Sequence, residues 1–256
     1  MPALFNNHSA IVTGAGQGIG YEIARQLALQ GTAVILNDID ETLAQQAAAA
    51  IVKDGGVCHA MGGDSADISF IESMVQKAVS LYGHLSFAVC NAGITLYGSF
   101  LSYPVNDFER VMNVNLRGSF FLAQAAAKQF IQQNSGGSIL FMSSVTGHQG
   151  INNLAAYSMT KAALEMLAKN LVVELSPHQI TVNALAPGAT ITERTMEYDD
   201  YVKVWSRITP MGRPASVHDI ANAALFLLSP ASRHITGQSL VVDGGWTSVS
   251  PLPPDK

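Results

Sequence analysis

Short apolar runs alternate along this chain with longer helical patterns, almost from one end to the other. The short runs are Ser9–Thr13, Ala33–Asp38, Val57–Met61, Phe87–Asn91, Ser138–Met142, Thr181–Ala186 and Ser239–Val242. They are apolar and often β-branched, as strands covered on both faces must be. Between them Gly18–Gln30, Glu41–Lys53, Ile68–Tyr82, Asp107–Gln133, Leu154–Leu175 and Val217–Leu228 are predicted helices. Helix punctuation agrees. Asp40, Asp67 and Ser216 stand where N-caps are wanted, Gly55–Gly56 and Gly83 close two helices, and Pro230 follows the last. Strand–helix alternation at these lengths implies parallel strands joined by right-handed crossovers. The fold class expected is therefore α/β, a single doubly wound parallel sheet of about seven strands with helices on both faces.

No repeat or linker divides residues 1–256, so one domain is expected. Two segments break the pattern. Pro187–Arg213, rich in Thr, Glu, Asp, Tyr and Pro, is long and irregular enough to be a substrate lid over about 188–213. Ser250–Lys256 carries three prolines and is expected to be extended, where it can lie against a neighbouring subunit.

Composition narrows the function. Of 256 residues 48% are hydrophobic and 13% charged, ample for a large core. The formal net charge is -5 and no stretch concentrates Lys and Arg, which argues against a nucleic-acid partner. Met1–Ser9 lacks a secretory pattern, and no uncharged apolar run spans a bilayer, so a cytoplasmic protein without a membrane partner is expected. Cys58 and Cys90 read as inert buried thiols. The seven histidines and two cysteines form no ligand-spaced cluster, so no metal is expected.

The first strand runs into Thr13-Gly14-Ala15-Gly16-Gln17-Gly18-Ile19-Gly20 and then a helix. Glycines here let the backbone turn sharply and approach a pyrophosphate, and the helix start offers free N–H groups. The turn lacks the Gly-Lys-Ser/Thr ending of a nucleotide-hydrolysing loop. Asp38 ends the second strand, where a carboxylate accepts hydrogen bonds from ribose hydroxyls and repels a 2′-phosphate. Gln17 and Asn37 bring no cation for that phosphate, so NAD is expected over NADP. Tyr157 and Lys161 lie four apart on one helix face. A free phenol titrates near 10, a poor base at neutral pH, and a nearby cation is expected to lower that value. Ser144, at the carboxyl end of a strand, can orient a substrate oxygen.

Together these motifs make the chain resemble the short-chain dehydrogenase/reductase family from Thr13 to Gly245, in its single-domain, Rossmann-like form. Asn91-Ala92-Gly93 resembles the family's Asn-Ala-Gly beside the cofactor, and Asn113-Val114-Asn115 its central helix segment. The resemblance implies a catalytic tetrad of Asn115, Ser144, Tyr157 and Lys161, with Asn115 positioning a water that links Lys161 to solvent. It also implies that Gly14, Gln17, Gly18 and Ile19 hold the phosphates. Asp64-Ser65 is placed beside adenine, and Pro187, Gly188, Thr190 and Thr192 beside the nicotinamide amide, while Tyr157 and Lys161 also touch the cofactor. A homotetramer is implied as well. For the substrate, Thr95, Thr146, His148, Asn153 and Tyr198 are the candidate pocket residues, with Asn152, Glu193, Arg194 and Trp205 nearby. Each has a plainer reading as loop packing or a solvated group. The polar set suits a sugar or polyol, and the ending Asp243-Gly244-Gly245-Trp246 resembles sugar and polyol dehydrogenases of the glucose 1-dehydrogenase kind. The rival readings are a 3-oxoacyl-[acyl-carrier-protein] reductase and a catalytically silent NAD-binding regulator.

Overall fold

Strand β1 (Ser9–Val12) is fully buried and has no polar side chain after Ser9, so it can only lie inside a sheet. The computed structural model describes residues 5–249, and the expected extended tail lies outside them. On either side of β1 the sheet grows in opposite directions. β2 (Ala33–Asp38) and β3 (Val57–Gly62) extend it one way. β4 (Phe87–Cys90), β5 (Gly137–Met142), β6 (Ile180–Pro187) and, after two short strands described below, β9 (Ser239–Val242) extend it the other. The seven strands run in the order β3-β2-β1-β4-β5-β6-β9, all parallel. The reversal of direction between β1 and β4 leaves a crevice at the strands' carboxyl ends, where open α/β sheets take their ligands.

Side chains alternate between two cores, as the pleat requires. Ala10, Val12, Val34, Leu36, Val89 and Leu140 pack on one face against α1 (Gly18–Leu29), α2 (Glu41–Lys53) and α8 (Val217–Leu228). Ile11, Ile35, Ala88, Ile139, Phe141 and Val182 pack on the other against α3 (Ile68–Tyr82), α5 (Ser119–Gln133) and α6 (Ala155–Leu175). The caps fall where the sequence puts them. Asp40 accepts from Leu43 N, Asp67 accepts from Ser69 N and Phe70 N, and Gly83 ends α3 in the left-handed conformation. Among the described residues no helix is long and apolar enough to cross a membrane. Neither cysteine is in a disulfide: Cys90 is buried, and Cys58 is only partly so. Burial pushes both thiols up, Cys58 to about 12, in keeping with inert groups.

Two expectations change. The predicted helix Asp107–Gln133 begins earlier, as α4 (Val105–Val111), and passes through a π-helical turn, Met112–Gly118, before continuing as α5. Periodicity does not register one widened turn. The stretch Pro187–Arg213 is not irregular either. Pro187 completes β6, and β7 (Thr190–Ile191) pairs in parallel with β8 (Ala215–Ser216). Between them α7 (Tyr201–Ile208) forms a helix with no buried residue. Its apolar residues Tyr201, Val204, Trp205 and Ile208 do recur at helical spacing, but over only eight residues, fewer than the window in which such a period separates from a loop. Its Trp205 ring meets Trp246 edge-on at 5.1 Å, and Tyr201 Oη donates to Thr190 O at 3.2 Å. The segment is closed off by Arg213, whose guanidinium grips Asp219 with two bonds of 2.7 and 3.1 Å.

Ser216 and Asp219 form a reciprocal capping box at the start of α8, which lies against the core. Ser216→Ala removes one of the bonds that satisfy this helix start and is expected to lower stability by about 1 kcal/mol, read as a shifted urea midpoint with unchanged slope.

Candidate active site

Gly14 has φ +59°, and a Cβ there would stand 2.8 Å from Ala92 Cα. Only glycine lets the end of β1 meet the turn after β4 so closely. Asn91 ties the two together, its Nδ2 donating to Thr13 O at 2.9 Å and Gly14 O at 2.8 Å. Thr13 Oγ1 in turn accepts from Asn91 N and Ala92 N. Gln17 is the N-cap of α1 in extended conformation, with no side-chain cap, so the amides of Gly18, Ile19 and Gly20 are open to a ligand. An uncapped helix start behind a glycine turn fits a pyrophosphate.

Asp38 sits at the end of β2, its carboxylate accepting from Gly16 N at 3.0 Å and Asp40 N at 3.2 Å. Asn37 turns inward instead, its amide donating to Met61 O and Gly63 O at 3.0 Å each. Asp64 is exposed and accepts from Ala66 N, while Ser65 is buried against the π turn, where a Cβ on Gly118 would meet its carbonyl at 2.7 Å. Gly188 is bonded to β9 through Val242 O. Thr192 lies against the glycine turn, and Glu193 brings its carboxylate there too, 3.6 Å from a Cβ built on Gly18. The Thr190 hydroxyl is buried and donates to Gly188 O, so its side chain serves the local turn.

The π turn carries Asn115 into the centre. Its Oδ1 accepts from Ile94 N at 2.8 Å, and its Nδ2 donates to Ile94 O and to Thr160 Oγ1, both at 3.1 Å. Both amide protons are thereby engaged, and the side chain clamps the strand leaving Gly93. Lys161 is 3% exposed, and its Nζ donates to Met142 O at 2.8 Å. A Cβ on Gly93 would lie 3.3 Å from both Asn115 Oδ1 and Lys161 Nζ, so these three residues meet. The Lys161 ammonium stands 5.3 Å from the centre of the Tyr157 ring. The Ser144 and Thr95 hydroxyls lie beside the Tyr157 phenol and favour its ionised form. Tyr157, Lys161, Ser144 and Asn115 thus converge at the carboxyl end of β5, beside the crevice.

The electrostatics differ from expectation in one respect. Bonds from Ser144 and Thr95 and the charge of Arg194 favour the phenolate, but burial outweighs them and holds the Tyr157 phenol above its ordinary value. Lys161 is itself brought down to about 8, by burial first and then by Arg194. A buried ammonium with one carbonyl partner is a weakened cation. Further positive charge next to the phenol is needed for it to serve as a base at neutral pH.

Residues 14–247 match a family model described as enoyl-(acyl carrier protein) reductase. The chain is 36% identical to an L-rhamnose 1-dehydrogenase (NAD(P)(+)) of Azotobacter vinelandii, covering 94% of this chain and 97% of the other. It is 34% identical to a diacetyl reductase [(S)-acetoin forming] of Staphylococcus epidermidis, covering 93% and 97%. A crystal structure of a short-chain type dehydrogenase/reductase from Mycobacterium marinum superimposes with a TM-score of 0.90 at 34% identity, over 95% of this chain and 98% of that one. The chain belongs to the short-chain dehydrogenase/reductase family. It is an oxidoreductase.

Around the site of this dehydrogenase/reductase the predicted pocket residues divide. Thr95 reaches the phenol. Thr146 follows Ser144, and its hydroxyl is buried without a protein partner. His148 places its Nε2 2.9 Å from Glu165 Oε1 on α6, which also accepts from Ser143 Oγ at 2.6 Å, so the ring is tied to that helix. Asn153 is exposed in the left-handed conformation, φ +62°, and its carbonyl accepts from Gly98 N. Tyr198 is 62% exposed on the lid. Glu165 and Thr160 were missed, although Glu165 lies one helical turn after Lys161 on the same face.

Proposed function

We propose that this dehydrogenase/reductase uses NAD to interconvert a small polar secondary alcohol, a sugar or polyol, and its carbonyl compound. The observation that carries the reading is the gathering of the Tyr157 phenol, the Ser144 hydroxyl and the Lys161 ammonium beside the glycine turn. Gly14, Gln17, Gly18 and Ile19 would hold the pyrophosphate, Asp38 the adenosine ribose, and Asp64 and Ser65 the adenine. Asn91, Ala92 and Gly93 would line the cofactor, Lys161 and Tyr157 would bind the nicotinamide ribose, and Pro187, Gly188, Thr190 and Thr192 would grip the amide. Bound NAD supplies the hydride acceptor for oxidation, and its reduced form the donor for reduction.

Ser144 and Thr95 orient the substrate oxygen. Tyr157 takes its proton during oxidation and returns it during reduction. The Tyr157 phenol, raised by burial, would gain the further positive charge it needs from an oxidised nicotinamide ring bound beside it. Asn115 holds Ile94 and so fixes the wall next to Lys161, while the main chain of its π turn is where a proton-relaying water would sit. The Ser144 and Thr95 hydroxyls beside the phenol, with the buried Thr146 hydroxyl that has no protein partner, favour a hydroxylated substrate. A relative named for L-rhamnose supports the same class. NAD is favoured over NADP because the anchored Asp38 carboxylate stands where a 2′-phosphate would be, and neither Gln17 nor Asn37 offers a cation.

The same reading includes a homotetramer. An open groove between the π turn, α5 and α6 is lined by Leu116, Phe120, Phe121, Met166 and Leu167. Phe120 is 43% and Met166 54% exposed there, a patch that pairing of long helices would cover. Light scattering on the native protein is expected to give a tetramer, and Phe120→Asp with Met166→Asp a smaller species. A native monomer overturns this part.

Activity is tested by following nicotinamide absorbance over aldoses, polyols, small hydroxyketones and an acetoacetyl thioester. Sugars or polyols are expected to lead, whereas preference for the thioester points to carrier-protein chemistry. Tyr157→Phe should keep NAD affinity and lose turnover by roughly 10²–10⁴-fold. Because the phenol is raised, it must shed its proton before oxidation, so oxidation should accelerate as pH rises and reduction should slow. A fast Tyr157→Phe enzyme, or an oxidation rate indifferent to pH, removes the phenol from the reaction. Asp38→Ala should weaken NAD about 10- to 100-fold, the loss of charge-assisted bonds, and raise relative use of NADP. Native preference for NADP contradicts the role given to Asp38.

A further inference from the structure

At the opposite, amino-terminal edge of the sheet lies a second cavity of about 230 Å³. It opens where β1, β4, β5 and β6 begin, and its wall includes His8, His84, Ser86, Ser138, Thr181 and Arg233. No Asp or Glu lines it. His8 lies within the electrostatic reach of both His84 and Arg233, whose charges join burial in disfavouring its protonated form. Three nitrogen bases therefore share one space with no acid between them. Arg233 is exposed and enters no ion pair among the described residues.

The hydroxyls of the wall bond among themselves and to the His8 ring. Thr181 Oγ1 donates to Ser138 Oγ at 2.9 Å, which leaves the Ser138 O–H without a use in that pair. His8 Nδ1 is bonded to Ser86 Oγ at 3.0 Å, which fixes the ring and leaves its Nε2 for another partner. His84 is immobile, its ring nitrogens 3.1 Å from Tyr82 O and 3.0 Å from Asn7 O. Both of its ring nitrogens are thereby taken up by backbone carbonyls. A polar cavity lined by a guanidinium and two imidazoles, with no carboxylate among them, favours an anion over a cation.

We infer that this cavity is an oxyanion site that takes phosphate or a small phosphomonoester. A guanidinium, a hydroxyl and an imidazole supply donors of different directions, as a tetrahedral anion requires. The volume equals that of roughly seven or eight waters at about 30 Å³ each, room for the anion with a short substituent. The site is separated from the glycine turn by the length of the strands, so it is independent of the dehydrogenase reading.

The test uses the full chain saturated with NAD, which blocks the pyrophosphate turn. Inorganic phosphate is titrated against chloride at matched ionic strength, by calorimetry and by the histidine ring resonances. Phosphate should bind and shift the resonances of His8 while those of His148 stay in place. Arg233→Ala should weaken the affinity about tenfold or more, the loss of one charge-assisted contact, and Arg233→Lys should restore part of it. Arg233 is at the surface, so the variant keeps the fold. An identical response to phosphate in Arg233→Ala, a shift at His148 instead of His8, or no phosphate-specific heat in the native protein each overturns the inference. A glycerol monophosphate added afterwards distinguishes the two sources: tighter binding than inorganic phosphate assigns the site to phosphomonoesters, and equal or weaker binding assigns it to the free ion.

Discussion

Two adjacent strands, β1 and β4, run side by side and then send their chains to opposite faces of the sheet. Everything at the catalytic edge depends on how closely their ends can meet. A side chain at residue 14 would collide with the backbone of Ala92, and Asn91 closes the junction by bonding back to Thr13 and Gly14. That junction sets the floor of the crevice. It aims the start of α1 at the place a pyrophosphate would occupy, and carries Gly93 toward Lys161.

The second determinant is a cation kept out of water. Burying an ammonium costs several kcal/mol unless its surroundings compensate. Here one carbonyl, Met142 O, and the face of one ring compensate in part, and Lys161 is left easier to deprotonate than an exposed lysine. The phenol beside it is held protonated by the same dry environment. On the proposed reading, a positive ring arriving with the cofactor would supply the increment that takes the phenol toward its ionised form. Desolvation by the fold and charge from the ligand divide the task between them.

How much of this the sequence disclosed follows from what leaves a local mark. Buried parallel strands such as Ala33–Asp38 are written as unbroken apolar runs, and Asp40, Asp67 and Ser216 announce helix starts because orphan amides need an acceptor close in sequence. The Tyr157–Lys161 spacing is equally local. The π turn at Met112–Gly118 is not, since its hydrogen-bonding offset depends on Asn115 reaching across to Ile94 and Thr160. Nor is the turning of His148 toward Glu165, which joins residues on two elements, or the helix Tyr201–Ile208, whose order comes from Trp246 and Thr190 outside it. The direction of the phenol's shift was read from its neighbours' charges alone, and burial, which outweighs them, is a property of the folded chain only.

The segment over the crevice is pinned where it leaves and where it returns, by the short pairing of β7 with β8 and by the grip of Arg213 on Asp219. Of these anchoring residues only Ala215 packs against one of the sheet's cores. Whatever lies between them is therefore interchangeable cargo on a fixed mount: its length and chemistry can drift to suit new molecules while the machinery beneath keeps its alignment.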